Sequence, residues 1–193
     1  MLRDRNVWPK VALGIGVCEL AGLVSLFWTV PGVREWYPSL QKPQLTPPSA
    51  LFGPVWIVLY ALMGIAVGLI WATGLKQPRE KRAFRWFWIQ LALNVAWSAA
   101  FFGFRSPAWG YVVIILLWLA IAATLWLFSK LSRTAGWLLA PYLLWVTFAS
   151  MLNFGILSLN VIKPGVQKMD QDPRNRNPSD GRANRATPTP KTF

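Results

Sequence analysis

The chain contains no histidine, one cysteine and only seven acidic residues. The acids are Asp4, Glu19, Glu35, Glu80, Asp170, Asp172 and Asp180, and of these only Glu19 falls inside a long apolar stretch. These shortages exclude a good deal of chemistry. A Ser-His-Asp triad, a His-ligated zinc or haem and a di-iron carboxylate bundle cannot be assembled. Cys18 cannot close an internal disulfide. No glycine-rich phosphate loop is present. Whatever this chain binds must be held mainly by aromatic surfaces and amides.

Charge is also missing over long distances. The stretches Pro43–Leu75, Trp86–Phe104, Pro107–Ser129 and Thr134–Ile162 carry none, and Val11–Val30 is interrupted only by Glu19. Each supplies the roughly 20 apolar residues needed to cross about 30 Å of hydrocarbon as a helix. In lipid every backbone amide must be paired, so helices are the expected spanning form, and barrel-type alternation is absent. The sequence predicts an all-α membrane protein, a five-transmembrane-helix bundle. The helices are expected at about residues 10–30, from Pro47 and Pro48 to Gly74, 83–103, 107–129 and 135–161. A proline-rich junction fills 31–46, and "KQPREKR" reads as a basic loop. The bulky "FWTVPGVREW" offers no small-residue cleavage site, so the first stretch reads as a retained helix.

Residues 1–162 form the membrane domain in this reading, and 163–193 a basic tail. The tail has few apolar residues and many Pro, Asn, Arg and Asp, so it is expected to be disordered. Its basic residues are dispersed, which favours a solvated tail over a lipid or nucleic-acid contact. Short loops on the N-terminal side hold most of the basic residues near the helices, among them Arg79, Lys81, Arg82, Lys130 and Arg133. That places the N-terminus inside.

Polar groups within the apolar runs are few. Asn94 and Asn153 sit mid-helix and must face inward, because an unpaired amide in lipid is costly. Two readings stay open for them: glue between helices, or polar contacts for a ligand. Asn94 and Trp97 share a face of helix 3, Trp56 and Tyr60 a face of helix 2, and Trp145, Ala149 and Asn153 a face of helix 5, with Phe148 and Leu152 beside them. Such a set would suit a wide, flat cavity for a flat aromatic or sterol-like ligand. Trp8, Trp28, Trp71, Trp86, Trp88, Trp109, Trp126 and Trp137 fall near helix ends, where interfacial belts account for them. Glu19 reads either as an ion site or as a neutral acid hydrogen-bonded to a neighbouring helix. Gly64 and Gly68 permit close helix approach.

Three blocks, "WYPSLQKPQLTPPSALFGPVWIVLYALMG", "QLALNVAWSAAFFG" and "PYLLWVTFASMLNF", together resemble the tryptophan-rich sensory proteins, the TspO/MBR family that includes the mitochondrial translocator protein. The resemblance covers about residues 8–160. It implies a five-helix bundle, commonly a homodimer, with a pocket between helices capped by the long helix 1–2 loop as a lid. It implies porphyrins, haem-type tetrapyrroles, sterols and synthetic isoquinoline or benzodiazepine-type compounds as ligands, with no tightly bound cofactor. By the same resemblance Trp36 and Tyr37 lie at the lid, while Trp56, Tyr60, Asn94, Trp97, Trp145, Phe148, Ala149 and Leu152 line the pocket. Leu45 stands where the family often has an aromatic residue. Phe154 replaces the tyrosine of the animal sterol motif, and the bulky "FRWFWIQ" replaces a small-residue pair early in helix 3.

The resulting expectation is an integral membrane receptor or sensor for flat hydrophobic ligands, foremost tetrapyrroles, regulating tetrapyrrole or stress responses. Its partners would be the ligand, the bilayer and a second copy of itself, with no nucleic acid. A light-dependent porphyrin-degrading enzyme and a small transporter of tetrapyrroles or sterols are the competing readings. The chain supplies surfaces and amides but no conventional acid–base pair, which favours binding.

Overall fold

The computed structural model describes residues 7–162. Five long helices make the bundle: α1 (Val7–Pro31), α2 (Phe52–Ala72), α3 (Pro78–Ser98), α4 (Pro107–Leu131) and α5 (Arg133–Leu157). α1 packs mainly on α2, α2 on α5, α5 on α4, α4 on α3, and α3 closes the ring on α1. The tail expected beyond residue 162 lies outside the described residues.

Four helical runs, Val7–Ser39, Ser49–Ala72, Pro107–Leu131 and Arg133–Ile162, are long and apolar enough to cross a membrane unaided. α3 is different. Its first turns carry Arg79, Glu80, Lys81, Arg82 and Arg85, and its apolar part begins at Trp86. A π-helical turn, Ala99–Gly103, prolongs it beyond Ser98.

Two boundaries depart from the sequence reading. "KQPREKR" is mostly helix rather than loop. Pro78 occupies the first turn, where no donor is needed, and Gln77 and Glu80 form a reciprocal capping box. The Glu80 carboxylate accepts the Gln77 N–H at 2.9 Å. The junction after α1 also begins as helix. The chain passes Pro31 into a π turn, Gly32–Trp36, closed by the Tyr37 N–H on the Gly32 carbonyl. A 3-10 turn, Tyr37–Ser39, follows before the chain becomes irregular. The wider turn re-pairs the backbone after a proline that has no donor of its own.

Close approach of α1 and α2 sets the geometry of that half. A Cβ on Gly64 would strike the Ile15 backbone, and one on Gly68 would lie 2.5 Å from the Val11 Cα. The expected role of this glycine pair is thus realised against α1. At the other end of the chain Ser106 and Ser132 cap α4 and α5, accepting the N–H groups of Trp109 and Ala135 at 3.3 Å each.

Candidate functional site

Asn94 lies at the centre of the bundle, 1% exposed. Its Oδ1 accepts from the Tyr60 hydroxyl at 2.5 Å, and its Nδ2 donates to the Tyr142 hydroxyl at 2.8 Å. One amide therefore joins α2, α3 and α5. Asn153, 2% exposed, does the same one level toward the lid. It accepts from Trp97 Nε1 at 3.3 Å and donates to the Pro107 carbonyl at 2.9 Å, joining α3, α5 and α4. Both amides face inward, as the cost of an unpaired amide in lipid requires. Each has hydrogen-bond partners within the protein, so each serves as glue between helices.

The predicted aromatic residues surround this tie. Trp56 is half-buried, tilted against Tyr60 at 5.5 Å and edge-on to Tyr142 at 6.2 Å. Trp145 meets Phe52 edge-on at 5.9 Å and Phe148 at 5.8 Å. Ala149 and Leu152 are buried on the same helix. Trp145 Nε1 is buried and has no hydrogen-bond partner. It lies where α5 meets Phe52 at the start of α2.

Trp36 ends the π turn that continues α1, and Tyr37 begins the 3-10 turn that leads into the α1–α2 connection. They pack on a pair the sequence reading did not single out, Phe101 and Phe102 in the π turn after α3. Trp36 is edge-on to Phe101 at 5.4 Å, and Tyr37 lies 6.1 Å from Phe102. Trp97 stacks on Phe101 at 5.6 Å. A continuous aromatic layer thus runs from lid to bundle core.

The lid is fastened in three ways. Asn160 pairs with the Gln41 backbone, accepting its N–H at 2.9 Å and donating to its carbonyl at 2.8 Å. Pro43 packs where Gly155 leaves room, since a Cβ there would overlap the Pro43 ring. Arg105 pairs with Glu35 at 2.6 Å across the exposed surface.

Other expectations resolve differently. Glu19 is half-buried on α1, and among the described residues no hydrogen bond reaches its carboxyl. The expected bond to a neighbouring helix is therefore not made. It lies beyond the edge of the face that α1 turns inward, which carries Gly14, Cys18 and Ser25. Trp8, Trp88, Trp109, Trp126 and Trp137 are exposed, as belt residues should be. Trp118 is half-buried and donates to Thr147 Oγ1 at 2.8 Å, joining α4 to α5. A groove of about 320 Å³ opens there, on the outer face, lined by Tyr111, Trp118, Thr147, Ser150 and Phe154 among others. None of the predicted pocket residues borders it. Around Asn94 the predicted residues instead pack on one another.

Tyr142, Phe52, Phe101 and Asn160 were missed from sequence. Tyr142 had a signal, lying three residues before Trp145 and so on its face. Asn160 had one too, as an amide at the end of an apolar run.

The sequence matches the TspO/MBR family over residues 14–159. The chain belongs to the TspO/MBR family. It is 45% identical over 150 residues to the tryptophan-rich protein TspO of Chlorobaculum tepidum, spanning 78% of this chain and 95% of that protein. It is 42% identical over 155 residues to the tryptophan-rich protein TspO of Archaeoglobus fulgidus, 80% of this chain and 99% of that one. Identity to the translocator protein of Bos taurus is 34% over 154 residues, 79% and 91% of the two chains. TspO/MBR membership and the apolar helices together make this an integral membrane protein with a sensor or receptor role.

Proposed function

We propose that this protein binds porphyrins and similar flat hydrophobic ligands between α2, α3 and α5, beneath the lid formed by the α1–α2 connection. The observation that carries the reading is the Trp145 indole N–H, buried without a partner beside Phe52 and Phe148. A buried donor left unpaired costs about 1–3 kcal/mol. A ligand carbonyl or carboxylate would recover that cost, and ring stacking on Trp56 and Trp145 would add about 0.5–1.5 kcal/mol per pair. With no histidine in the chain, a bound haem-type ligand would be held by its faces and edges rather than through an imidazole.

The same reading places the N-terminus inside, from the short-loop basic residues. It also carries self-association through a lipid-facing surface other than the start of α3, where Trp86 and Trp88 are bulky.

The test is titration of protoporphyrin into the purified protein in nanodiscs. Saturable tryptophan quenching and a shift of the porphyrin absorption band are expected. Both should weaken at least tenfold in concentration when Trp56 and Trp145 are replaced together by leucine, a loss of about 1.4 kcal/mol or more. An unchanged band shift in that variant would remove the site from consideration.

A further inference from the structure

Charge is divided unequally between the two ends of the bundle. Where α3 begins and α4 turns into α5, Arg79, Lys81, Arg82 and Arg85 stand on the first turns of α3, and Lys130 and Arg133 flank the α4–α5 turn. All six are exposed. Among the described residues the only acid at that end is Glu80, which is buried and engaged in the cap of α3. At the lid end, by contrast, the exposed Arg105 is already paired with Glu35.

Beside Lys130 and Arg133 a groove of about 230 Å³ opens between α4 and α5, lined by Leu125, Ser129, Gly136, Trp137 and Ala140. Its depth follows from helical rise. Leu125 lies six residues before the end of α4 and Ala140 seven after the start of α5, so at 1.5 Å per residue the groove reaches about 10 Å along the helices. The 25 residues of α4 span about 37 Å against about 30 Å of hydrocarbon, which brings Lys130 to the headgroup layer. Its ammonium bends back over the exposed Trp126 ring, 5.8 Å from the centroid, toward lipid rather than out into water.

Apolar walls alone would accept any acyl chain, and the cations at the mouth narrow the choice. A soluble anion would use the cations and leave the groove unused. A zwitterionic lipid would fill the groove but bring its own cation to Lys130 and Arg133. An anionic phospholipid satisfies both. The larger groove between the same two helices, lined by Tyr111, Trp118 and Phe154 among others, has no cation in its lining and lacks this selectivity.

We propose that the groove beside the α4–α5 turn binds one anionic phospholipid, its phosphate held by Lys130 and Arg133 and one acyl chain lying along the groove against Trp137. The Arg133 guanidinium can grip two phosphate oxygens at once, and Lys130 adds a compact second charge. The site lies on the outer face of the bundle and does not depend on the ligand site between α2, α3 and α5.

The test is native mass spectrometry of the full chain in non-ionic detergent, titrated with dioleoylphosphatidylglycerol or dioleoylphosphatidylcholine. The wild type should retain one phosphatidylglycerol in preference to phosphatidylcholine. Lys130→Gln with Arg133→Gln should weaken phosphatidylglycerol binding about 25-fold, at about fivefold for each cation near a membrane surface. Ala140→Phe, which fills the groove and keeps both charges, should weaken it as well. Arg79→Gln with Arg82→Gln removes as much charge from the same end and should leave that one lipid bound. Equal loss in this control would show a diffuse positive field in place of a site and overturn the proposal. So would unchanged phosphatidylglycerol binding in the Lys130/Arg133 variant, or in a folded Ala140→Phe variant. Displacement by glycerol 3-phosphate at the lipid's own concentration would reveal a headgroup site without a chain and also overturn it. The glutamine variants alter only exposed side chains, so they decide the matter even where Ala140→Phe does not fold.

Discussion

Asn160 grips the Gln41 backbone at both its N–H and its carbonyl, across 119 residues of sequence. Its Nδ2 also donates to the Ile156 carbonyl one turn earlier, so the grip is anchored in the helical end of α5. The lid's irregular middle is therefore hydrogen-bonded to the bundle by a single side chain, beside the packing of Pro43 on Gly155.

Replacing Asn160 by alanine should loosen the lid without unfolding the bundle. Two hydrogen bonds at an exposed site are worth about 1–3 kcal/mol together. The expected result is ligand dissociation faster by about tenfold, seen in stopped-flow recovery of tryptophan fluorescence, with little change in melting temperature. Equal dissociation rates would show that the grip does not hold the lid shut over a ligand.

The exposed Arg105–Glu35 pair should matter much less, despite its short distance. Both side chains are more than half exposed, at 51% and 61%, and surface pairs contribute about 0–1 kcal/mol. Arg105→Gln should therefore leave the dissociation rate within about fivefold of wild type. A change as large as that of Asn160→Ala would mean that the ion pair is the true latch.

Glycines in α1 give a third prediction. A Cβ on Gly14 would meet the Gly64 carbonyl, whereas one on Gly16 would meet nothing. Gly14→Ala should destabilise by about 1–3 kcal/mol, as overpacking does. Gly16→Ala should be neutral or stabilise by up to about 1 kcal/mol, since it only removes glycine's entropic cost in a helix. Unfolding of the two variants by dodecyl sulfate in mixed micelles measures the difference, and similar midpoints would contradict the close α1–α2 approach.

Much of this architecture is legible in the sequence because lipid imposes a simple demand. Uncharged runs of sufficient length must be helices, and amides within them must point inward, which places Asn94 and Asn153 correctly. Local conflicts are less legible. Pro31 argues for a break, yet a π turn absorbs the missing donor and carries helix on to Ser39. Arg79, Lys81 and Arg82 argue for a loop, yet the Gln77–Glu80 capping box starts α3 there. Pairings between helices are not legible at all. Spacing shows that Asn94 and Trp97 share a face, but not that Asn94 would join Tyr142, 48 residues away, while Trp97 turned to Asn153.

The Tyr60–Asn94–Tyr142 tie yields the sharpest stability test, because removing one partner differs from removing two. Tyr60→Phe leaves Asn94 Oδ1 buried without its 2.5 Å partner, and Asn94→Leu leaves two phenols without theirs. Each single change should destabilise by about 1–3 kcal/mol, the cost of a buried polar group left unpaired. Combining them replaces donor and acceptor together, so the double variant should lose less than the sum, with a coupling of about 0.5–3 kcal/mol. Gly22 gives an independent check on the same ring, since a Cβ there would lie 2.6 Å from the Tyr60 Cε2. Gly22→Ala should push Tyr60 off Asn94 and destabilise the protein, but cost less in a Tyr60→Leu background, where the ring edge is gone. Strict additivity in both cycles would mean that Tyr60 and Asn94 stabilise the bundle separately, and that the three-helix tie is not a unit.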